Sequence, residues 1–302
     1  MPSEPEVGWR FLRSARWLGY AAMLVVFAIA CVLLGNWQFE RRAEARAEIA
    51  RIDANYDAAP VALADELPDS AAFDEDRQKW RTVRVEGEYV GAPFLARNRP
   101  GDSSVGSDLI QAMRTSDGRI FFVDRGWVPI QVGAAADEGI AAEELPEPAT
   151  GPVEAEVRLR ASEPAISGRS SSGRSVASID LPELARLVAG EEWAAEARSA
   201  TGSLDIVTGA YGMLVSEEPA GEHGVLPPKP ERDEGPHLSY ALQWYVFIVI
   251  AVIGVGYAAR REYRGFNGDS ESVRAQDRRS AERRRRRGRS DAEEEDALLD
   301  AR

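Results

Sequence analysis

HLSYALQWYVFIVIAVIGVGYAARR, residues His237 to Arg261, decides the architecture of this 302-residue chain. Nothing from Leu238 to Ala259 carries a formal charge, and a helix needs about 20 apolar residues to cross the hydrocarbon core of a bilayer. Arg260, Arg261 and Arg264 follow at once, whereas Glu231, Arg232, Asp233 and Glu234 precede. Basic flanks stay on the cytoplasmic side of a span. The stretch therefore reads as a transmembrane helix over 238–259 whose far end, with the tail 260–302, is cytoplasmic.

Working back from it, a second uncharged stretch runs from Trp17 to Phe39, between Arg16 and Glu40. Two spans place the segment 1–16, with Arg10, Arg13 and Arg16, on the cytoplasmic side as well, and leave 40–237 outside the cytoplasm. Taken alone the first span is ambiguous, because Arg41, Arg42 and Arg46 lie beyond it. Tyr20, Trp37, Trp244 and Tyr257 fall near the span ends, where amphipathic rings favour the headgroup layer. A cleaved signal peptide is the alternative, and Ala28-Ile29-Ala30-Cys31 looks like a lipoprotein site. The apolar run continues to Trp37, which favours a retained anchor. Cys31 is the single cysteine, so no disulfide and no Cys-x-x-Cys pair forms within the chain.

The region between the spans predicts an extracytoplasmic α+β domain built on an antiparallel sheet or small open barrel. Gln38 to Tyr56, rich in Ala, Glu and Arg, extends the first helix, and Pro60 to Asp76 has the composition of an irregular connector. Trp80 to Val90 alternates with period two, as a strand with one buried face does. Further strands are expected at Phe94–Asn98, Asp108–Arg114, Arg119–Val128, Val153–Arg160 and Asp205–Val215. One helix interrupts them, with Asp180 as N-cap, Pro182 and Glu183 in its first turn, Leu184, Leu187 and Val188 on one face and Gly190 at its end. Ala134 to Thr150, Ser167 to Ser175 and the proline-bearing approach Glu217 to Pro236 read as loops.

The net charge of −13 is concentrated between the spans and argues against nucleic acid as a partner, since phosphate contacts need a basic surface. The arginine run Arg283–Arg287, followed by Glu293, Glu294, Glu295 and Asp296, predicts a disordered, solvated tail, with a contact to anionic lipid or RNA as the alternative. The usual parts of an enzyme are scarce. Only His223 and His237 are present, both outside the expected strands, and no phosphate-binding glycine loop or His-Glu-x-x-His motif occurs. Asp124 and Arg125 ahead of Gly126-Trp127 admit a catalytic reading, but a strand ending in a charged turn beside a buried Trp is the default. The chain is not expected to be an enzyme.

A different cluster is geometric. His237, Tyr240 and Trp244 share one helical face at the outer end of the second span, with Gln243 adjoining. Antiparallel spans bring Trp37, Gln38, Arg41 and Arg42 to the same depth. Two readings fit: an aromatic belt with an interfacial His, or a site for an amphipathic, carboxylate-bearing macrocycle such as haem, with imidazole on iron and Arg on the propionates.

These residues resemble the Surfeit locus protein 1 family of cytochrome c oxidase assembly factors. The likeness rests on Leu34-Gly35-Asn36-Trp37-Gln38-Phe39-Glu40-Arg41, on Val85-Glu86-Gly87-Glu88-Tyr89 with Arg97-Asn98-Arg99-Pro100, on Asp117-Gly118 leading to Val123-Asp124-Arg125-Gly126-Trp127-Val128-Pro129, and on His237-Leu238-Ser239-Tyr240-Ala241-Leu242-Gln243-Trp244-Tyr245. The resemblance implies two spans around one domain in a bacterial plasma membrane. It also implies a role in maturing the haem-copper oxidase by aiding haem a insertion into the catalytic subunit. His237 is then the expected haem iron ligand, and enzymes of haem a synthesis are expected neighbours. Asn98, Arg99, Pro100, Asp124, Arg125, Gly126, Trp127 and Pro129 are family motif residues of structural character. A membrane-tethered scaffold for envelope proteins without haem is the alternative from another class. A copper chaperone is disfavoured by the lack of paired Cys or clustered His and Met.

The orientation is testable with a reporter enzyme that works only outside the cytoplasm. Fused after Arg302 it is expected to be inactive, and inserted in the Glu217 to Pro236 approach it is expected to be active; the opposite pattern overturns the assignment.

Overall fold

The computed structural model describes residues 8–101, 104–129, 145–169, 171–201, 203–268 and 270–287. The start of the expected acidic loop (134–144) and the tail beyond Arg287 lie outside them. Two compact units form, one drawn from the chain up to Glu44 and from Glu234 onward, the other from Ala45–Asp233.

The first unit contains two helices long and apolar enough to cross a membrane: α1, Ala15–Asn55, whose C-terminal part belongs to the second unit, and α6, His237–Phe266. Leu18, Val26, Leu33, Val249 and Ile253 are among the large apolar side chains they leave exposed, a surface suited to lipid. The helices pair antiparallel. Arg16 forms an ion pair with Glu262 at one end, while Asn36 accepts a 2.9 Å hydrogen bond from the Tyr245 hydroxyl towards the other. Close approach is possible because position 35 is glycine: a Cβ there would come within 2.9 Å of the Tyr245 ring, and small residues let membrane helices touch. On the Arg16 side, Trp9 stacks on Tyr263 with ring centroids 4.3 Å apart.

The tail departs from expectation. A short helix, α7, spans Glu271–Arg287 where disorder was predicted. Arg, Glu, Gln and Ala are good helix formers, Arg264 pairs with Asp277, and Val273 is buried, so the segment has both propensity and an anchor.

In the second unit the elements are β1 (Val61–Ala62), α2 (Leu63–Glu66), α3 (Glu75–Gln78), β2 (Thr82–Pro100), β3 (Val105–Thr115), β4 (Ile120–Pro129), β5 (Val153–Ala161), β6 (Ser175–Val176), α4 (Leu181–Ala189), α5 (Glu192–Thr201) and β7 (Ala210–Glu218). The order β2-β3-β4-β7-β5 closes because the first half of β2 also pairs with β5, Thr82 opposite Arg158 through Gly87 opposite Val153. Of the two expected forms, antiparallel sheet or small barrel, the structure has the barrel, five-stranded and closed. β4 and β7 run parallel; the other barrel pairs are antiparallel. The strands expected separately at Trp80–Val90 and Phe94–Asn98 are one strand with a register shift between Val90 and Phe94, since a bulge kinks a strand without ending it. β7 starts at Ala210, later than the expected Asp205; only Ile206 bridges back, to Ile120.

Val83, Val85, Met113, Phe121, Val123, Ala155, Val157, Leu159 and Leu214 belong to the barrel's apolar core. Burying each such large side chain contributes about 2 kcal/mol. Alternate residues of β3 and β4, Ile110, Ala112, Ile120 and Phe122, pack instead against α4 through Leu181, Leu184 and Val188. α4 has the predicted cap, the Asp180 carboxylate accepting from Glu183 N at 3.2 Å. The connector Pro60–Asp76 holds β1 and α2, and α5, which the sequence reading lacked, adds Ala194 to the α4 layer. The C-terminal end of α1 docks here too: Ile52 and Tyr56 cluster with Trp80, whose indole N–H donates to Glu48 at 2.8 Å.

Gly126 sits at φ +100° with the backbone of Gly224 and Val225 2.9 Å from where a Cβ would stand, while Gly118 at φ +88° faces open space. Gly126→Ala is expected to lose about 2–3 kcal/mol, strain plus clash. Gly118→Ala is expected to lose about 1 kcal/mol from strain alone. Equal losses in denaturant unfolding of the two variants would contradict this placement of Gly126.

Candidate functional site

Two sets of polar side chains stand out, one in each unit. In the helix pair, His237 is the first residue of α6. Its Nδ1 lies 2.8 Å from Gln38 Oε1. An amide oxygen only accepts, so Nδ1 is the donor in this contact and Nε2 is the ring nitrogen left outside it. Gly235, at φ +68°, leaves that edge of the ring open: a Cβ there would come within 3.3 Å of Nε2. Arg42 Nε binds Glu234 Oε2 at 2.9 Å. Arg41 binds Glu44 at 2.7 Å and lies 5.7 Å from the Trp37 ring centre.

The expected face is redistributed. Towards α1, α6 presents His237, buried Ala241 and Tyr245, spaced by four residues. Tyr240 and Gln243 are exposed and Trp244, half-buried, packs edge-on against Phe247. Three, six and seven residues from His237, they lie off the i, i+4, i+8 row that faces α1. Of the predicted residues, then, His237 and Gln38 are in direct contact. Glu234, Asn36 and Tyr245 join the cluster and were not singled out as site residues. Their signal was charge and spacing: a carboxylate just before α6, and a hydroxyl in register with Asn36.

In the barrel, Asp124 and Arg125 are not a charged strand end beside a buried Trp. They sit within β4 and are themselves buried, while Trp127 is half-buried. Consecutive strand residues face opposite ways, so the two side chains serve different surroundings. Arg125, fully buried, lies 5.3 Å from the Tyr89 ring and donates from Nη2 to the Glu222 carbonyl. Its Nε and Nη1 have no hydrogen-bond partner among the described residues. Burial lowers its pKa, yet a guanidinium stays charged at any ordinary pH. The Tyr89 hydroxyl, pushed up by burial and then by Glu217, donates to Glu217 Oε2 at 2.6 Å.

Asp124 faces a cavity of about 510 Å³ together with Asp108, Glu163, Trp127, Tyr211 and Pro100. Its Oδ1 accepts from Gly126 N at 3.0 Å. Arg99 bridges the other two acids, Nη2 to Glu163 at 2.6 Å and Nε 3.0 Å from Asp108, the latter an ion pair without a directed hydrogen bond. The indole N–H of Trp127 donates to the Arg99 carbonyl at 3.1 Å. Asn98 turns the chain at φ +60°, and Pro129 ends β4. Pro100 from one sequence block and Asp124, Gly126 and Trp127 from another thus line one cavity. Burial pushes the Asp124 carboxyl above the usual range, helped by the Asp108 charge, and burial pushes Asp108 up against the pull of Arg99.

The profile of the SURF1 family matches residues 25–249, which covers both sites. SURF1-like proteins of Mycobacterium bovis and of two strains of Mycobacterium tuberculosis are each 31% identical to this chain over 260 residues. The match spans 84% of this chain and 87% of each relative.

A carboxyl whose pKa is raised by folding holds its proton more tightly in the folded state. Its stabilising contribution is therefore complete below the unfolded pKa of about 4 and is lost as pH rises towards the folded value. Asp124→Asn keeps the acceptor for Gly126 N but cannot ionise. Its stability relative to the native chain is expected to rise from pH 4 to neutrality in denaturant unfolding; a difference that stays flat with pH would contradict the raised carboxyl.

Proposed function

The chain belongs to the SURF1 family, a family of the oxidase-assembly kind, and we propose that it is a non-catalytic helper that holds haem a on its way into the catalytic subunit of a haem-copper cytochrome c oxidase. It works in a bacterial plasma membrane, with both termini cytoplasmic and the barrel outside, beside the enzymes of haem a synthesis.

The observation that carries the reading is the 2.8 Å contact between His237 Nδ1 and Gln38 Oε1. Iron-ligating histidines donate their second N–H to an oxygen acceptor, which fixes the ring and raises its basicity. Gln38 fills that role, and Nε2 remains for the iron. Haem held here would supply an iron centre for the His237 imidazole and two carboxylates for the arginines. Arg42 and Arg41 stand nearby, each already on a carboxylate, Glu234 and Glu44. Exchanging one carboxylate for another keeps the charge balance, so a propionate can take over a guanidinium without leaving it bare. Exposed Trp37 and Tyr240 offer flat apolar surface. Hand-over to another protein calls for such a shallow, exchangeable site rather than a closed pocket. The reading as a helper and not an enzyme rests on His223 and His237 both lying outside the barrel strands.

The full chain, purified in detergent from cells that make haem a, is expected to carry a Soret band. His237→Ala is expected to abolish it, and Gln38→Leu to weaken haem binding by about 10-fold. Deleting the gene is expected to lower haem a in the assembled oxidase. A colourless protein together with unchanged oxidase spectra in the deletion would overturn the proposal and favour the scaffold reading.

A further inference from the structure

We propose that the barrel cavity bounded by Asp108, Asp124 and Tyr211 is a binding site for an organic ammonium group, a primary amine on a short aliphatic stem. The proposal is independent of haem and of His237. Asp124 is 7% exposed and, among the described residues, receives only the Gly126 N–H. Arg99 is committed to Asp108 and Glu163, and Arg160, though it lines the cavity, lies with its guanidinium 4.3 Å from the Trp80 ring centre. Asp124 is thus held out of water with incomplete compensation, beside an Asp108 whose charge Arg99 already pairs, an arrangement that is costly unless a cation enters.

Tyr211 supplies the second, independent observation. It is 5% exposed and lines the cavity, yet its hydroxyl makes no hydrogen bond to any described residue. The oxygen is not sealed off with the side chain: it opens onto the cavity, where it can accept. An ammonium has three donors and no acceptor, and the two carboxylates and the phenol oxygen are three acceptors on one cavity. The remaining wall, Met213, Leu226, Pro227 and Pro228, is apolar and suits a methylene stem. The volume of about 510 Å³ lies in the range of small-molecule sites. Anions are repelled by the same carboxylates. The amine can be a lysine side chain of a partner polypeptide or a free polyamine, since both present the same group on the same kind of stem.

Isothermal titration calorimetry of the full chain in detergent separates these sources with two probes, Nα-acetyl-lysine methylamide and spermidine. Butanol and butyrate serve as neutral and anionic controls. At least one amine is expected to bind one molecule per chain, and the preferred probe identifies the source. Asp124→Asn is expected to weaken it by at least about 10-fold. Tyr211→Phe, which removes one oxygen and preserves shape, is expected to weaken it by about 3–10-fold. Amine binding no stronger than butanol binding overturns the proposal and leaves protonation of the buried Asp124 carboxyl as the compensation for its burial. Unchanged affinity in Tyr211→Phe also overturns it, whether or not Asp124→Asn folds. Neither result bears on the Soret band of the native chain, so the haem reading stands or falls separately.

Discussion

Every backbone amide and carbonyl withdrawn from water must find a partner within the chain, and both units of this protein are answers to that requirement. In a bilayer the only single-segment answer is the helix, which the long apolar runs of α1 and α6 adopt. In the second unit the answer is a sheet without free barrel edges. The first half of β2 pairs with β5 and most of its length pairs with β3, so the outermost strands satisfy each other. The barrel core and the position of β4 follow from that closure.

Closure also creates the unusual environment of the Asp124–Arg125 pair. β4 carries the barrel interior on one side and the α4 layer on the other, and ionisable residues at its centre are therefore buried whichever way they face. The structure meets the two charges differently. Arg125 rests against Tyr89 and a backbone carbonyl, while Asp124 opens onto a cavity already holding two other acids and one bridging arginine. A buried charge whose pairing is incomplete is expensive, and burial accordingly pushes the Asp124 carboxyl towards its protonated form.

The helix pair shows the same economy on a smaller scale. Glycine at position 35 admits the Tyr245 ring, Tyr245 reaches Asn36, and the register so set brings Gln38 to His237. One small residue thus decides whether the imidazole is oriented or free. The two sites share no residue, and each is described within its own unit.

The sequence by itself determined the spans, their antiparallel pairing, most strands and the capped helix α4, because length, charge and period report directly on burial along a single segment. It also determined the family, through Asp124-Arg125-Gly126-Trp127 and the His237 to Tyr245 block. Only the tertiary structure decided that the sheet closes, that Phe94 continues the strand begun at Thr82, and that Asp124 is buried. These depend on pairing between segments distant along the chain, which no local pattern encodes. The helical tail shows the converse: a polar composition suggested disorder, but α7 gains an anchor in Val273 and Asp277. Likewise the spacing placed His237 on α6, yet which neighbours shared its face depended on the row of α6 that α1 covers.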